Sequence, residues 1–493
     1  GRVYITFHKS FYDTDTLRNT ESYQIERFDD EWIGVATQNA YADSSYKVEV
    51  STFSDSSSTN SGLTSFRVIA NMEEGNFVSL DDENGFGYSV DNIHPSTPDD
   101  VMASSNNNDI NISWDYTQDI DFDYHQITEL EELQFTISND VSILLLGAYN
   151  EYYMNSVDIH HNYSDKSDYV GAHDLHAGAN LVSFSVLPED NSITNVIEGD
   201  VSGVIGEGVA ANNIPPWVGS LTHIDSSKGY WVKTNSEFVH LTIGEKYYVE
   251  NYDLHSGANL ISYTCSGDGS LSELIEEDCI DGIIGEGVAA NNLSSVGWVG
   301  SLVNLEPGKG YWFKTSEDCE LSYDCPEPSM NQLVRYDDNE TIKDYAQSTE
   351  QAFYFIEDIE NIEVGDMVSS YCNDTKVGSR EWNGVYTDIP AMGNDNSDLT
   401  KDYCTSSSIP TFRVEKPSGE TYALTGDIPV WESNGLHMLS TLQEAIILPE
   451  SYSLAAAYPN PFNPTTTINF AIPSDTEVSI SVYNLQGREV VSL

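Results

Sequence analysis

Basic residues are scarce in this chain: 20 Lys and Arg stand against 80 Asp and Glu, leaving a formal net charge of -60 over 493 residues. Such a surface repels nucleic acid and anionic membranes, which excludes both as partners. Self-repulsion of this size is tolerated where salt screens it, so brine, with a Debye length below about 10 Å, suits the composition. Long apolar runs are also lacking. No stretch approaches the roughly 20 residues of a membrane-spanning helix, so the sequence offers no transmembrane segment. Catalytic signatures are missing as well, with no H-E-x-x-H, no G-x-S-x-G and no G-K-[ST] loop. The 11 His are scattered. Only His160 and His161 adjoin, and neighbouring side chains on a strand diverge. Among so many acids, a carboxylate pair for glycoside chemistry means nothing without geometry. The reading is a non-enzyme.

Cysteine is sparse: the six form no CxxC, fit an oxidising compartment, and lack zinc-ligand spacing with His partners. Cys265 and Cys279 fall in one module, Cys319 and Cys325 close its end, and Cys372 and Cys404 share the next. Pairing in that local order is the expectation, one of several connectivities open to the sequence.

What is present is β pattern. Val3–Phe7, Ser22–Arg27, Tyr46–Val50 and Ser65–Ala70 are short alternating runs divided by Asp, Ser and Asn turns, the cadence of a sandwich. The order SYQIERFDDEWIGV, YKVEV, SFRVIAN resembles fibronectin type III modules of secreted bacterial proteins, which implies one such module over 1–95. A second, over 96–170, has Ile110–Trp114 as its Trp-bearing strand and DIDFDYHQI as the next, although Ile143–Leu146 fits the pattern poorly. The acidic run Asp115–Asp123 lacks the spacing of a calcium loop and reads as a solvated turn.

The centre of the chain is an internal duplication. DLHAGANLVSF, VIGEGVAANN, WVGSL and SKGYWVKT return as DLHSGANLISY, IIGEGVAANN, WVGSL and GKGYWFKT, offset by 79 residues up to GEGVAANN and by 81 afterwards. Tandem copies of this size imply two small domains with one fold, placed at 171–249 and 250–326, each mainly β with a short helical turn such as Ile193–Ile197. They resemble repeats of large secreted proteins that carry sorting tails, for which no activity follows. G-x-G-x-x-A in Gly206–Ala211 suggests a dinucleotide loop, but Asn212-Asn213-Ile214-Pro215-Pro216 breaks the helix that such a loop must open. Glu207, echoed by Glu286, would also face the phosphate. A tight structural loop is the better reading. Trp217, Tyr230 and Trp231, with their counterparts Trp298, Tyr311 and Trp312, are candidates for stacking on sugar rings. Core packing competes with that use, because neighbouring Tyr and Trp on a strand face opposite sides. Lys233 and Lys314 read as aromatic-covering stems.

A further β-rich module is expected over 327–446. Gln351–Ile356 and Thr411–Val414 read as strands, and VGSREWNGVYTDIPAMGNDNSDLTKDY as a long polar loop. It resembles another accessory domain of exported cargo. Asp388, Asn394, Asp395, Asn396 and Asp398 place oxygen donors on that loop, which makes calcium the one cofactor suggested.

The tail, 447–493, contains Pro459-Asn460-Pro461-Phe462-Asn463-Pro464, then Thr467–Ile472 and Val478–Tyr483 as an alternating strand pair. YPNPFNP, the T-x-I-x-F strand and VYNLQGREV together resemble the C-terminal sorting domain of type IX secretion substrates of Bacteroidetes and related bacteria. That implies export by the type IX machinery to the cell surface or medium. The family continues past this point, and the chain starts at Gly1 without a signal peptide, so a longer precursor is expected. The whole reads as a mainly β, multidomain string of β-sandwich and other small β-rich modules. Its expected role is non-catalytic: adhesion, polysaccharide or matrix binding, contact with other surface proteins, or self-association into extracellular structure. The competing reading is the accessory half of a secreted hydrolase with its catalytic domain upstream.

Overall fold

The computed structural model describes residues 1–14, 20–56, 60–72, 75–78, 85–106, 109–129, 133–137, 142–146, 150–275, 278–325, 344–445, 451–461, 463–474, 476–484 and 486–492. Among these the regular structure is almost all strand, with two helices of four residues each, Ile193–Val196 and Leu271–Leu274. No helix among the described residues is long and apolar enough to cross a membrane. The chain forms two compact units, Gly1–Thr349 and Glu350–Leu493.

In the first unit, the opening strands form where the alternation placed them. Arg2–His8 pairs with Ser45–Ser51, and Thr20–Asp29 lies between Glu31–Asn39 and Thr64–Met72. Every second residue turns inward, so Ile25, Val50 and Phe66 meet in one core and Tyr23, Tyr46 and Ala70 in another. Buried Asp13 is held by the hydroxyls of Tyr23 and Tyr46, at 2.9 and 2.6 Å, and by the Ala42 amide. Next, Asp109–Ser113 pairs with Met102–Asn106 and with Ser142–Leu146, so the segment that fitted poorly is a strand. Leu133–Ile137, Phe122–Glu129 and Asn150–Asp158 begin a sheet that continues through Tyr169–Leu175 and Phe238–Lys246 to Val186–Leu187. The first repeat therefore shares a sheet with the strands before it.

The two repeats are copies in register as well as in sequence. In the first, Gly178–Ser183, Gly229–Thr234, Val201–Gly206, Val209–Asn212 and Val218–Gly219 lie side by side in that order. Gly257–Ser262, Gly310–Thr315, Ile280–Ile284, Ala289–Leu293 and Gly297–Gly300 repeat it. Gly178 faces Thr234 as Gly257 faces Thr315, and a bulge follows Val201 as another follows Ile280. The extra residues of the second copy lie at the tip of the hairpin between Leu293 and Gly297, where an insertion disturbs no pairing.

All six cysteines are paired, but two of the three expected partners are exchanged. The bonds are Cys265–Cys325, Cys279–Cys319 and Cys372–Cys404. Asn251–Leu254 pairs antiparallel with Cys319–Ser322, which returns the end of the second repeat to its beginning and nests one bond inside the other.

The second unit contains a seven-stranded sheet in which Gln351–Ile359 lies between Thr387–Met392 and a parallel neighbour, Leu436–Glu444. The expected long loop holds two strands, Thr375–Glu381 and Thr387–Met392. Thr387–Met392 is buried on both faces, so it shows no alternation, and Asp388 and Pro390 disguise it further. In the tail the two expected strands do not pair with each other. Phe470–Ala471 pairs with Ser453–Leu454, and Ser481–Tyr483 pairs with Glu489–Ser492. Backbone bonds between Tyr458 and Thr467, at 2.9 and 3.0 Å, close the proline segment into a loop. Phe462 lies outside the described residues, whereas Pro459, Asn460, Pro461, Asn463 and Pro464 are exposed.

Candidate functional site

The most elaborate arrangement joins the two repeats. Each GEG turn caps a hairpin, with Gly208 and Gly287 at φ +69° and +67°, a left-handed conformation suited to glycine. The Glu preceding each of these glycines reaches across to the other repeat. Glu286 accepts the Leu181 amide at 2.8 Å and lies 2.6 Å from His176 Nε2. Glu207 accepts the Leu260 amide at 3.0 Å and lies 2.6 Å from His255 Nε2. The exchange is reciprocal, as in a two-fold dimer built within one chain.

Beneath these clamps, Ala179, Leu181, Trp231 and Leu260 are buried together, with Ile205 and Trp312 packed against them. The backbones touch where the KGYW motifs begin. A Cβ on Gly310 would fall 2.8 Å from the Val182 carbonyl and 3.0 Å from Gly229 Cα. Glycine at this position is thus a condition of the pairing. The Ser183 amide donates to the Gly308 carbonyl at 2.9 Å, and the Ser262 amide to the Ser227 carbonyl at 3.2 Å.

The histidines of the clamp face acceptors on both ring nitrogens. Nδ1 of His176 lies 2.9 Å from the Ala177 carbonyl, and Nδ1 of His255 the same distance from that of Ser256. A neutral imidazole has one N–H, so only imidazolium serves both sides. Burial opposes that charge at His176, but the hydrogen bond to Glu286 and the Glu286 charge raise its pKa. The hydrogen bond to Glu207 raises that of His255. Burial pushes Glu286 up, yet the His176 bond, the Lys309 charge and the Leu181 amide bring it down to about 2.

The aromatic candidates belong to the packing. Tyr230 and Tyr311 are buried in the cores of their own repeats, and their hydroxyls each accept a backbone amide, from Asp225 and Glu306. Trp231 is buried between the repeats with Trp312 beside it, while Trp217 and Trp298 pack half-buried against the two cores. The loop donors do not converge on a calcium site. Asp388 is buried on its strand and bound by Arg380 at 3.0 Å, Asp395 accepts the Ser397 amide and the Thr400 hydroxyl, Asn394 accepts the Asn396 amide, and Asp398 and Asn396 point outward.

A different group comes together in the first unit. Ligand atoms of Asp91, Asp121, Asp158 and His160 all lie within 4.8 Å of one another, the one such group among the described residues. Asp91 follows the strand Ser89–Val90, Asp121 sits in the turn before Phe122–Glu129, and Asp158 ends Asn150–Asp158. The acidic run is therefore more than a solvated turn, since its half-buried Asp121 lies in this group. His160 and His161 lie in a turn, with His161 at φ +64° and exposed, so the pair diverges with His160 directed inward. These four residues fit no motif and were not legible as a set.

Among known proteins, residues 456–493 match the family described as the secretion system C-terminal sorting domain. Among solved structures, the chain is similar to the FN1–FN3 domains of chicken CNTN1, with 16% identity over 34% of this chain and 60% of that one. The TM-score of 0.18 is too low for that likeness to support an argument. No curated protein matches. The chain thus carries a type IX sorting domain at its C-terminal end and is an extracellular or cell-surface protein of β modules.

Proposed function

We propose that this chain is a non-catalytic extracellular structural element, a string of β modules that bears load and adheres at the cell surface through protein contacts. The reciprocal clamp between the repeats carries this reading. Two copies that could fold apart are instead locked face to face, with the repeated Glu and Trp residues used on each other. A sheet shared between the first repeat and the strands before it, together with three disulfides, adds resistance to separation. Export by the type IX machinery delivers such an element to the surface.

Single-molecule pulling tests the proposal alongside adhesion of cells that display the protein. The repeats are expected to yield in one event, and cells carrying Glu207→Gln with Glu286→Gln are expected to adhere less. Two separate repeat events with adhesion unchanged would exclude the reading. If Trp217→Ala and Trp298→Ala abolished retention on polysaccharide, glycan binding would replace it.

A further inference from the structure

The geometry points to a divalent first-row transition-metal site formed by Asp91, Asp121, Asp158 and His160, which would pin the segment after the first module to the turns of the second. Two observations support it independently. The first is the crowding of three carboxylates. Asp158 is fully buried, the Asp91 side chain is 10% exposed, and Asp121 is half-buried. One carboxylate oxygen from each lies within 4.8 Å of those of the others. Carboxylates pressed together in this way need a shared proton or a cation between them.

The second is His160. Its side chain is only 10% exposed, and its Nδ1 is enclosed without a hydrogen bond, 3.3 Å from Asp91 Oδ2. Facing a carboxylate without hydrogen-bond geometry, that nitrogen has given up its water for a poor contact, which a cation held between the two would improve. The surrounding turn is already built by other bonds. Asp158 Oδ1 accepts the amides of His160 and Asn162 at 2.8 Å, Asp158 Oδ2 accepts Asn162 Nδ2, and that same amide group reaches the Asp91 carbonyl. These bonds orient the ligands and leave His160 Nδ1 and Asp91 Oδ2 facing each other.

The donor set selects the metal class. Calcium and magnesium prefer oxygen alone, whereas an imidazole nitrogen among carboxylates suits zinc or manganese. Because Asp91 lies on the segment leaving one module and the other ligands on the next, the ion would join two pieces that the backbone alone leaves adjacent.

The full chain, stripped with a chelator, can be titrated with zinc chloride in a calorimeter and weighed for bound metal after dialysis. One equivalent is expected, with the melting temperature raised by a few degrees. His160→Gln and Asp121→Asn are each expected to weaken binding at least about tenfold. Without metal, Asp121→Asn should melt no lower than the parent, because the substitution removes a repelled charge. Failure to bind zinc, binding that survives both substitutions, or tighter binding of calcium than zinc would overturn the assignment.

Discussion

The two repeats share order, register and core pattern, yet their ends are secured by different chemistry. The first places Tyr169–Leu175 and Phe238–Lys246 in the sheet of the module before it, and buried Lys246 joins Glu151 there. The second has only the two-stranded pairing of Asn251–Leu254 with Cys319–Ser322, and it carries two disulfides that the first lacks. A small β domain needs its ends closed, and either a borrowed sheet or a covalent bond can do it. The comparison teaches that the shared motif specifies the core and the mutual contact, while anchorage is local.

The largest break of this comparison should come from reduction. Replacing Cys265 and Cys279 by Ser removes both bonds, and at about 2–4 kcal/mol for each disulfide the second repeat should lose most of its stability. Hydrogen exchange would check it, with protection lost over 251–323 and kept over 169–246.

Next is the crossing of the backbones. Gly310→Ala places a methyl group against the Val182 carbonyl and Gly229 Cα, at an expected cost of about 1–3 kcal/mol. Thermal melts should show that loss, and exchange of the Ser183 and Ser262 amides should report the separation.

Removing one clamp at a time sharpens the comparison. Glu286 is the more enclosed of the pair, and a charged hydrogen bond contributes roughly 1.5–3 kcal/mol. Glu286→Gln should therefore lower the melting temperature more than Glu207→Gln does. Equal effects would show that enclosure does not set the strength of the clamp.

The smallest effect is that of pH. His176 and His255 have raised pKa values, so their contribution is full below about 6.5 and is lost as pH rises through the raised values. Glu286 is lowered from 4.5 to about 2, so its contribution is present above 4.5 and is lost as pH falls toward 2. Lys309 beside His176 opposes its charge, whereas Asp318 near His255 favours it. Coupling of the repeats should peak between about pH 4.5 and 6.5. Melting curves across pH, compared with those of His176→Gln, would check it.

Much of this was readable from the chain. Alternation located the first strands, self-similarity located the repeats, and the proline segment located the sorting tail. The long loop of the second unit was misread because Thr387–Met392 is buried on both sides, so its period vanished. The cysteine partners were misread because pairing follows where strands return, and proximity in sequence does not report that. Glu207 and Glu286 were correctly placed in tight turns, but nothing local says that each turn ends against the other copy.

The strand-rich class, the duplication, the oxidising compartment and the address are all written in the order of residues, because each depends on local pattern or on composition. Folding in three dimensions is what brings the two copies into contact, pairs the cysteines, and gathers Asp91, Asp121, Asp158 and His160. Those outcomes depend on residues far apart in sequence meeting across folded faces, and a pattern with a period of two or a motif of a few residues carries no record of such distances.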